Sequence, residues 1–205
     1  MFEETIRIAS TKEEVSALLL TVLPDLRAFA RSLTKERVLA DDLVQDAAVR
    51  ALTSAHLFAH GTNFRAWAFM ILRNCFYNHV RLNGRYVGLP DDGYEAGAMG
   101  NQEQSLEMCE FRRAFWQLSP PHREVLTLIG PAGMSYEDAA RVCDCAVGTV
   151  KSRVSRARLE LQQIMEQGEF SLTRLDSPAI GNTPIDDWLT AFAHPATLLP
   201  AMQMS

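Results

Sequence analysis

Two basic stretches without acidic residues carry the side chains of this 205-residue sequence that could bind a charged partner. No Asp or Glu occurs from Ala47 to Pro90, where five arginines and three histidines do. From Val147 to Leu159 acids are again absent, whereas one lysine and three arginines are present. Because a solvated surface usually mixes both signs, these stretches predict two contacts with a polyanion, despite a net charge of −5.

The first basic stretch interleaves its cations with aromatic rings. Five of the 17 aromatic residues lie within 14 positions: Phe64, Trp67, Phe69, Phe76 and Tyr77. An aromatic ring can stack on an unpaired base while a nearby arginine holds phosphate, which is typical of single-strand binding. For each ring alone a place in the core is the favoured interpretation, because large rings are mostly buried. The basic face as a whole favours nucleic acid.

The second basic stretch belongs to a short helix, a tight turn and a longer helix, the pattern of a helix-turn-helix. Apolar residues share one side of the longer helix. The other side carries the residues that could enter a groove: Thr149, Ser152, Arg153 and Arg156. Arginine reads guanine and Ser or Thr reaches base edges or phosphate, so this face predicts contact with duplex DNA. The alternative is an amphipathic helix with a solvated basic face.

The elements that must position these faces are predicted to be helices. A capping box at Thr11 and Glu14 begins the first helix, and Pro24 should break or kink it, or begin another. A helix near Ala40 and one capped by Asn63 follow. Residues 86–104 are turn-rich and acidic and predict a flexible linker. No strand pattern stands out, so we expect an all-α chain of two helical domains and a tail.

Composition and motif content exclude several classes. No apolar run reaches the ~18–20 residues of a membrane span, and the acidic start lacks the basic residues of a secretion signal, so a cytoplasmic protein is expected. Cys143 and Cys145 form a C-x-C without a second pair, so neither a metal nor another cofactor is expected. Phosphate-loop, nucleophile-elbow and zinc-protease motifs are missing, which makes an enzyme the least favoured class.

The motifs, in order and spacing, resemble the extracytoplasmic function (ECF) sigma factors of the bacterial sigma-70 class over about residues 15–166. Residues 40–46 (ADDLVQD) resemble region 2.2, residues 63–74 resemble regions 2.3 and 2.4, and residues 148–158 resemble region 4.2. Residues 143–149, and residues 64–67 with Arg73-Asn74, resemble more narrowly the EcfG-type general stress response sigma factors. The departures are Asp144, where that type leads us to expect Gly in a left-handed turn that Asp tolerates at some cost, and the tail.

The resemblance implies a division into a region 2 domain (1–85), a linker (86–104), a region 4 domain (105–166) and an extension of unknown role (167–205). It implies a sigma factor that recruits core RNA polymerase to promoters and promotes melting of the −10 element, for stress-response genes under anti-sigma control. The implied partners are the β′ clamp helices and β flap of polymerase, promoter DNA, and an anti-sigma factor of the NepR type. A membrane is not among them, and the free protein is expected to be a monomer.

The resemblance also assigns site residues. Those implied to bind polymerase are Asp42, Leu43, Gln45, Asp46 and Arg50. Those implied to bind the −10 element are Asn63, Arg65, Trp67, Arg73, Asn74, Asn78 and Arg81. Those implied to bind the −35 element are Thr149, Lys151, Ser152, Arg153, Arg156 and Arg158.

Two alternatives stay open on the sequence alone. A stand-alone helix-turn-helix regulator would bind a palindromic operator without polymerase, and an RNA-binding or purely interacting protein is a third class. The tail is either a loose terminus or a docking segment, because Trp188 and Phe192 are costly to leave exposed.

Overall fold

The computed structural model describes residues 10–34, 36–83 and 102–167. Most of the predicted linker and the tail from residue 168 lie outside the described residues. Three helices form what we call the first half: α1 (Lys12–Thr34), α2 (Arg37–Thr53) and α3 (Phe64–Asn83), with one 3₁₀ turn at Ala55–Leu57. Four form the second half: α4 (Gln102–Gln117), α5 (Pro120–Ile129), α6 (Tyr136–Cys143) and α7 (Val147–Gln167). The all-α prediction is confirmed.

Three side chains cap the first turns of their helices. The hydroxyl of Thr11 accepts from the Glu14 backbone N–H at 3.2 Å, and a Glu14 carboxylate oxygen accepts from the Thr11 N–H at 2.8 Å. The Asn63 side chain accepts from the Ala66 N–H at 3.2 Å at the start of α3. Ser135 accepts in the same way from the Asp138 N–H at 3.0 Å. Each of these bonds satisfies a donor that the helix leaves unpaired.

Pro24 does not end a helix. Helix α1 runs continuously from Lys12 to Thr34 with Pro24 inside it, so the expected break or new start there is wrong. The missing N–H of Pro24 would have donated to the carbonyl of Leu20, and both residues are exposed, so solvent can reach this side of the helix. The lost backbone hydrogen bond therefore costs little free energy, and the packing of α1 is enough to stabilise the continuous helix.

The two halves share one hydrophobic core. Helix α1 packs against α5, and α3 packs against α6. Phe69 and Phe76, considered above as base-stacking rings, are both buried, and the Phe69 ring stacks on Phe29 with centroids 4.9 Å apart. Burying such a ring stabilises the fold by about 1.5–3 kcal/mol, so core packing decides their position.

A buried arginine joins the halves at the end of α1. The Arg123 side chain, near the start of α5, donates to the carbonyls of Ser32 at 3.2 Å and Leu33 at 3.4 Å. These are carbonyls of the last turn of α1, which have no partner within their own helix. A cation at a helix C-terminus also interacts favourably with the helix dipole. The second half thus supplies the C-terminal cap of a helix in the first half.

Candidate nucleic-acid and polymerase interfaces

Helix α2 presents one polar face to solvent. Four of the five residues implied to bind polymerase are exposed on it: Asp42, Gln45, Asp46 and Arg50. Leu43 is only 3% exposed and packs in the core, so its expected position on the binding surface is wrong. It falls on the apolar stripe of α2 with Val44 and Ala47, which faces α1 and α3.

Two exposed valines extend this face of α2. Val38 is 66% and Val49 63% exposed, and both follow the helical spacing of Asp42 and Gln45. The face therefore combines carboxylates and an amide with uncovered apolar surface. The sequence does not identify Val38 as part of this exposed face, because a valine near the start of an amphipathic helix is ordinarily assigned to the core.

The N-terminal end of α3 touches the second half through two of the residues implied to bind the −10 element. The Asn63 amide donates to the Asp138 carboxylate of α6 at 2.9 Å. The Arg65 guanidinium donates to the backbone carbonyl of Ala132 at 2.7 Å and pairs with Asp25 of α1 at 2.8 Å. Both side chains are thus engaged within the chain rather than free in solvent.

Further along α3, Arg73 forms a second polar contact between the halves, with a fully buried partner. Its Nε donates to the Glu124 carboxylate at 2.5 Å, and the Tyr77 hydroxyl donates to the other oxygen of Glu124 at 3.3 Å. The Arg73 guanidinium also lies over the Tyr77 ring, 4.5 Å from its centroid. Glu124 is fully buried at 0% exposure, so its charge is balanced by Arg73 and not by water.

Burial and charge shift the pKa values of this cluster. Burial raises the pKa of Glu124, and the charge and hydrogen bond of Arg73 oppose that shift. Burial likewise works against the charge of Arg73, but the nearby Glu124 carboxylate holds the Arg73 pKa above its ordinary value. Burial, aided by Glu124, raises the pKa of Tyr77 to about 12. We take Arg73 and Glu124 to be an ion pair, because a 2.5 Å contact suits a charge-assisted hydrogen bond.

The remaining α3 residues implied to bind the −10 element differ in their exposure to solvent. Trp67 is partly buried against the Phe58 and Phe64 rings, with centroids 5.3 and 5.6 Å away. Asn74 is exposed, as is Arg81, whose guanidinium bonds the half-buried Asn78 amide oxygen at 2.5 Å. This end of α3 carries exposed polar groups that a ligand could reach.

The turn before α7 has the geometry expected of a helix-turn-helix. Asp144 ends α6 in the left-handed conformation, with φ 51° and ψ 55°. The Cys145 N–H donates back to the Ala140 carbonyl at 3.1 Å, closing the turn. Asp can adopt this conformation where most residues with a side chain are strained, which explains how the turn forms without glycine.

Helix α7 exposes Lys151, Ser152 and Arg156, while Thr149 and Arg153 are half-buried. Arg156 donates to the backbone oxygen and the hydroxyl of Ser152, each at 3.2 Å. These bonds hold the guanidinium along the helix surface.

Arg158 differs from the other α7 candidates. It is half-buried beside the apolar stripe, and its Nε is buried without a hydrogen-bond partner. It therefore has less access to a groove than the exposed Lys151, Ser152 and Arg156. Lys151 lies over the Tyr136 ring of α6 at 5.7 Å, a cation–π contact that ties the two helices of the motif.

The sequence does not identify the groups of the second half that accept hydrogen bonds from α3 side chains. These groups are the carboxylates of Glu124 and Asp138 and the carbonyl of Ala132. Charged residues are almost never fully buried unless paired, so Glu124 next to Arg123 predicts a solvated helix start. Its partner lies on another helix, and the sequence carries no local signal for that pairing.

Two further kinds of feature are absent from the described ranges. None of their helices combines the length and apolar character that a bilayer crossing needs. Within the same ranges, no three His, Cys, Asp or Glu side chains are grouped as metal ligands would be.

Comparison with known proteins agrees with this architecture. The Sigma-70 region 2 family matches residues 18–86, and the Sigma-70 region 4 family matches residues 110–161. The chain is 46% identical over 149 residues to the ECF RNA polymerase sigma factor EcfG of Rhodopseudomonas palustris, covering 72% of this chain and 82% of that protein. It is 28% identical to the ECF sigma factor SigM of Bacillus subtilis, covering 70% and 90% respectively.

Solved structures give the same result. The sigma factor RpoE of Bartonella quintana, in complex with the anti-sigma factor NepR, matches with a TM-score of 0.66 and 42% identity, covering 75% of this chain and 98% of that one. CnrH, in complex with the cytosolic domain of CnrY, matches with a TM-score of 0.58 and 25% identity, covering 78% and 93%. On these matches and the two helical halves described above, this chain belongs to the ECF group of RNA polymerase sigma factors.

Proposed function

We propose that this sigma factor directs core RNA polymerase to its promoters through three surfaces: the polar face of α2, the basic face of α3 and the exposed face of α7. The single observation that carries the proposal is that each face lies on its own helix, and that those of α3 and α7 lie on different halves. Two promoter elements can then be read by two halves of one chain. The role is one of binding, not of catalysis.

The polar face of α2 is the proposed polymerase surface. Its exposed Asp42, Gln45, Asp46 and Arg50 supply hydrogen-bonding groups, and Val38 and Val49 supply apolar area. A binding surface of this kind needs both, because apolar burial gives affinity and polar groups fix the register. Leu43 supports the face from beneath.

The face of α3 is proposed to bind the −10 element and its opened strand. Asn63, Arg65, Arg73, Asn74, Asn78 and Arg81 supply amide and guanidinium donors, and Trp67 supplies a ring beside them. Donors of this kind suit phosphate and base edges on an unpaired strand. No carboxylate lies on this face within α3 itself.

Helix α7 is proposed to read the −35 element as duplex DNA. Thr149, Lys151, Ser152, Arg153 and Arg156 lie along its first turns, where a recognition helix reaches base edges. Arg158 is retained as a peripheral phosphate contact, because its guanidinium is partly covered.

The proposed division of the chain follows from these surfaces. Residues 1–85 form the region 2 domain, 86–104 the linker, 105–166 the region 4 domain and 167–205 an extension of unassigned role. Helix α4 already begins at Gln102, so the last three residues assigned to the linker are helical. The RpoE structure similar to this chain was solved with an anti-sigma factor, NepR. We propose that an anti-sigma factor of that type restrains this chain too, and that its genes serve a stress response.

The test is transcription in vitro with purified core polymerase on a general-stress-type promoter. A specific transcript is expected only when both proteins are present. Arg156→Ala should reduce the amount of transcript from that promoter, because one good base contact contributes ~1–3 kcal/mol. Transcription with this variant should also depend less on the −35 sequence. Arg27→Ala changes an exposed arginine of α1, a helix that carries none of the three surfaces, so it is the matched control and should match the wild type.

The alternative function, a stand-alone helix-turn-helix regulator, predicts the opposite pattern. It requires tight binding of the free chain to duplex DNA and no polymerase-dependent transcript. That result would overturn the proposed roles of α2 and α3 and leave only that of α7.

A further inference from the structure

A relay of side-chain hydrogen bonds runs along the exposed side of α7 and ends on Arg156. The Ser152 hydroxyl donates to the backbone carbonyl of Thr149 at 3.0 Å. The same hydroxyl oxygen accepts from Nη2 of Arg156 at 3.2 Å, and the Ser152 carbonyl accepts from Nε of Arg156, also at 3.2 Å. Ser152 therefore engages the Nε–Nη2 edge of the guanidinium with two acceptors that belong to one residue.

The hydroxyl of Ser152 is oriented as an acceptor. A hydroxyl group has a single proton to donate and two lone pairs that can accept. Because the Thr149 carbonyl takes that proton, the oxygen turns its lone pairs outward, where Arg156 donates to one of them. In this arrangement Ser152 has no proton left for a phosphate or a base acceptor. Its bonds serve Arg156 instead.

The part of the Arg156 guanidinium that Ser152 leaves free is the part that suits a base. A guanidinium carries five N–H donors in a rigid plane. Ser152 takes the Nε donor and one of the two donors on Nη2. The other donor on Nη2 and those on Nη1 form the end of the fork, which can bond O6 and N7 of guanine together. The hold on Arg156 therefore does not compete with base reading.

The hold also sets the direction in which Arg156 extends. Ser152 lies one helical turn before Arg156, so the two bonds draw the guanidinium towards the N-terminal end of α7, which begins at Val147. A recognition helix contacts base edges with its N-terminal residues. Arg156 is exposed, and an exposed arginine without such acceptors samples many rotamers, which binding must then restrict. Ser152 reduces that cost before DNA arrives.

We propose that Ser152 is a positioning residue of the −35 interface, which directs the free edge of Arg156 at one base pair. This inference rests on the proposed −35 role of α7 and refines it, because Ser152 contributes through Arg156 and not through a bond of its own to DNA. Hydrogen bonds at exposed sites are individually modest, so Ser152 biases the Arg156 conformation without locking it. Ordering one long side chain in advance changes affinity about two- to tenfold.

A double-mutant cycle on the holoenzyme tests the proposal. Core polymerase is combined with the wild type, Ser152→Ala, Arg156→Ala or the double variant. Single-round transcription at limiting holoenzyme is measured on a parent promoter and on promoters that each carry one changed −35 base pair. Ser152→Ala should lower the parent transcript about two- to tenfold and weaken the preference at the same base pair as Arg156→Ala does. The double variant should behave as Arg156→Ala alone.

Two further variants separate positioning from a general change in α7. Ser152→Thr keeps the hydroxyl, which in a helix can still bond a carbonyl of the preceding turn, so it should retain most of the wild-type preference. Gln162→Ala removes a different exposed bond of α7, from Gln162 to Glu166 at 2.7 Å, and should match the wild type. Because these side chains are exposed, thermal unfolding midpoints should stay close to that of the wild type.

The outcomes distinguish this inference from the proposed function. Losses that add in the double variant would overturn the inference, because Ser152 would then contact DNA on its own. A Ser152→Ala holoenzyme with wild-type preferences would also overturn it, while loss of preference in Arg156→Ala would leave the −35 role of α7 standing. If Arg156→Ala kept the wild-type preference at every −35 base pair, the proposed reading by Arg156 would fail, and the role of Ser152 with it.

Discussion

The Arg73 guanidinium and the Glu124 carboxylate, 51 residues apart in sequence, meet at 2.5 Å between α3 and α5. Glu124 has no access to solvent, so Arg73 is the group that makes its ionised form tolerable there. A residue implied to contact DNA is thereby also the counter-ion of a buried acid. The two roles predict different responses to mutation.

Removing Arg73 should destabilise the free protein. In Arg73→Ala the buried Glu124 carboxylate loses its balancing charge, and breaking a buried pair from one side costs ~3–5 kcal/mol. In Arg73→Ala/Glu124→Gln most of that loss should be recovered, because no unpaired charge remains. Urea unfolding of the two single variants and the double variant gives the coupling energy. Losses that simply add would show that the pair is not coupled.

Leu43 and Gln45 should separate stability from polymerase binding. Leu43→Ala removes a buried side chain from the core of the first half and should cost ~2–5 kcal/mol of unfolding free energy. Gln45→Ala changes an exposed side chain and should leave stability within about 0.5 kcal/mol while weakening binding to core polymerase. Thermal unfolding and a polymerase-binding titration measure the two effects. Equal stability losses would contradict the burial of Leu43.

Asp144→Gly should stabilise the chain. Asp144 holds a left-handed conformation that glycine adopts without strain, and relief of that strain is worth up to about 1 kcal/mol. Gly133, also left-handed at φ 58° with open space around a would-be Cβ, is the matched comparison. Gly133→Ala should lose about 1 kcal/mol for the same conformational reason. Shifts of both variants in the same direction in urea unfolding would argue against this account.

Protonation of the Asp138 carboxylate should lower the free energy of unfolding at acid pH. Partial burial would raise the pKa of Asp138, but hydrogen bonds from Arg141, Asn63 and Ser135 outweigh it and hold the pKa below its ordinary value. The unfolded chain then takes up a proton first, below about pH 4, and the stabilisation present above that pH is lost as the pH falls through the native pKa. Asp138→Asn should flatten the dependence. Unfolding free energies between pH 3 and 6 provide the measurement, and parallel curves would contradict it.

The sequence carries strong local signals for helices and their caps, and these were the most dependable predictions. Thr11 and Asn63 cap as predicted, because a cap depends on residues three positions apart. The break or new helix start expected at Pro24 is wrong, because the free-energy cost of a proline inside a helix depends on which side of the helix faces water. Local patterns therefore specify where most helices begin but not always where they continue.

The candidate site was less predictable because burial and pairing depend on distant residues. Leu43 lies next to the polar residues of α2 in sequence but points into the core. Phe69 stacks on Phe29 of α1, a contact that no periodicity within α3 could reveal. Glu124 is buried only because Arg73 and Tyr77 come from another helix to meet it. The resemblance to ECF sigma factors supplies the list of site residues, and only the fold shows which of them are accessible.

Arg123 has a consequence for attempts to divide the protein. Its side chain supplies hydrogen bonds that complete the last turn of α1. A helix of the first half is therefore capped by a residue some 90 positions away in the sequence. A fragment ending before the second half would leave the Ser32 and Leu33 carbonyls to solvent and the end of α1 free to fray. A dissected region 2 fragment is thus chemically different from region 2 within the chain, and stabilities or affinities measured on the fragment do not carry over unchanged to the intact protein.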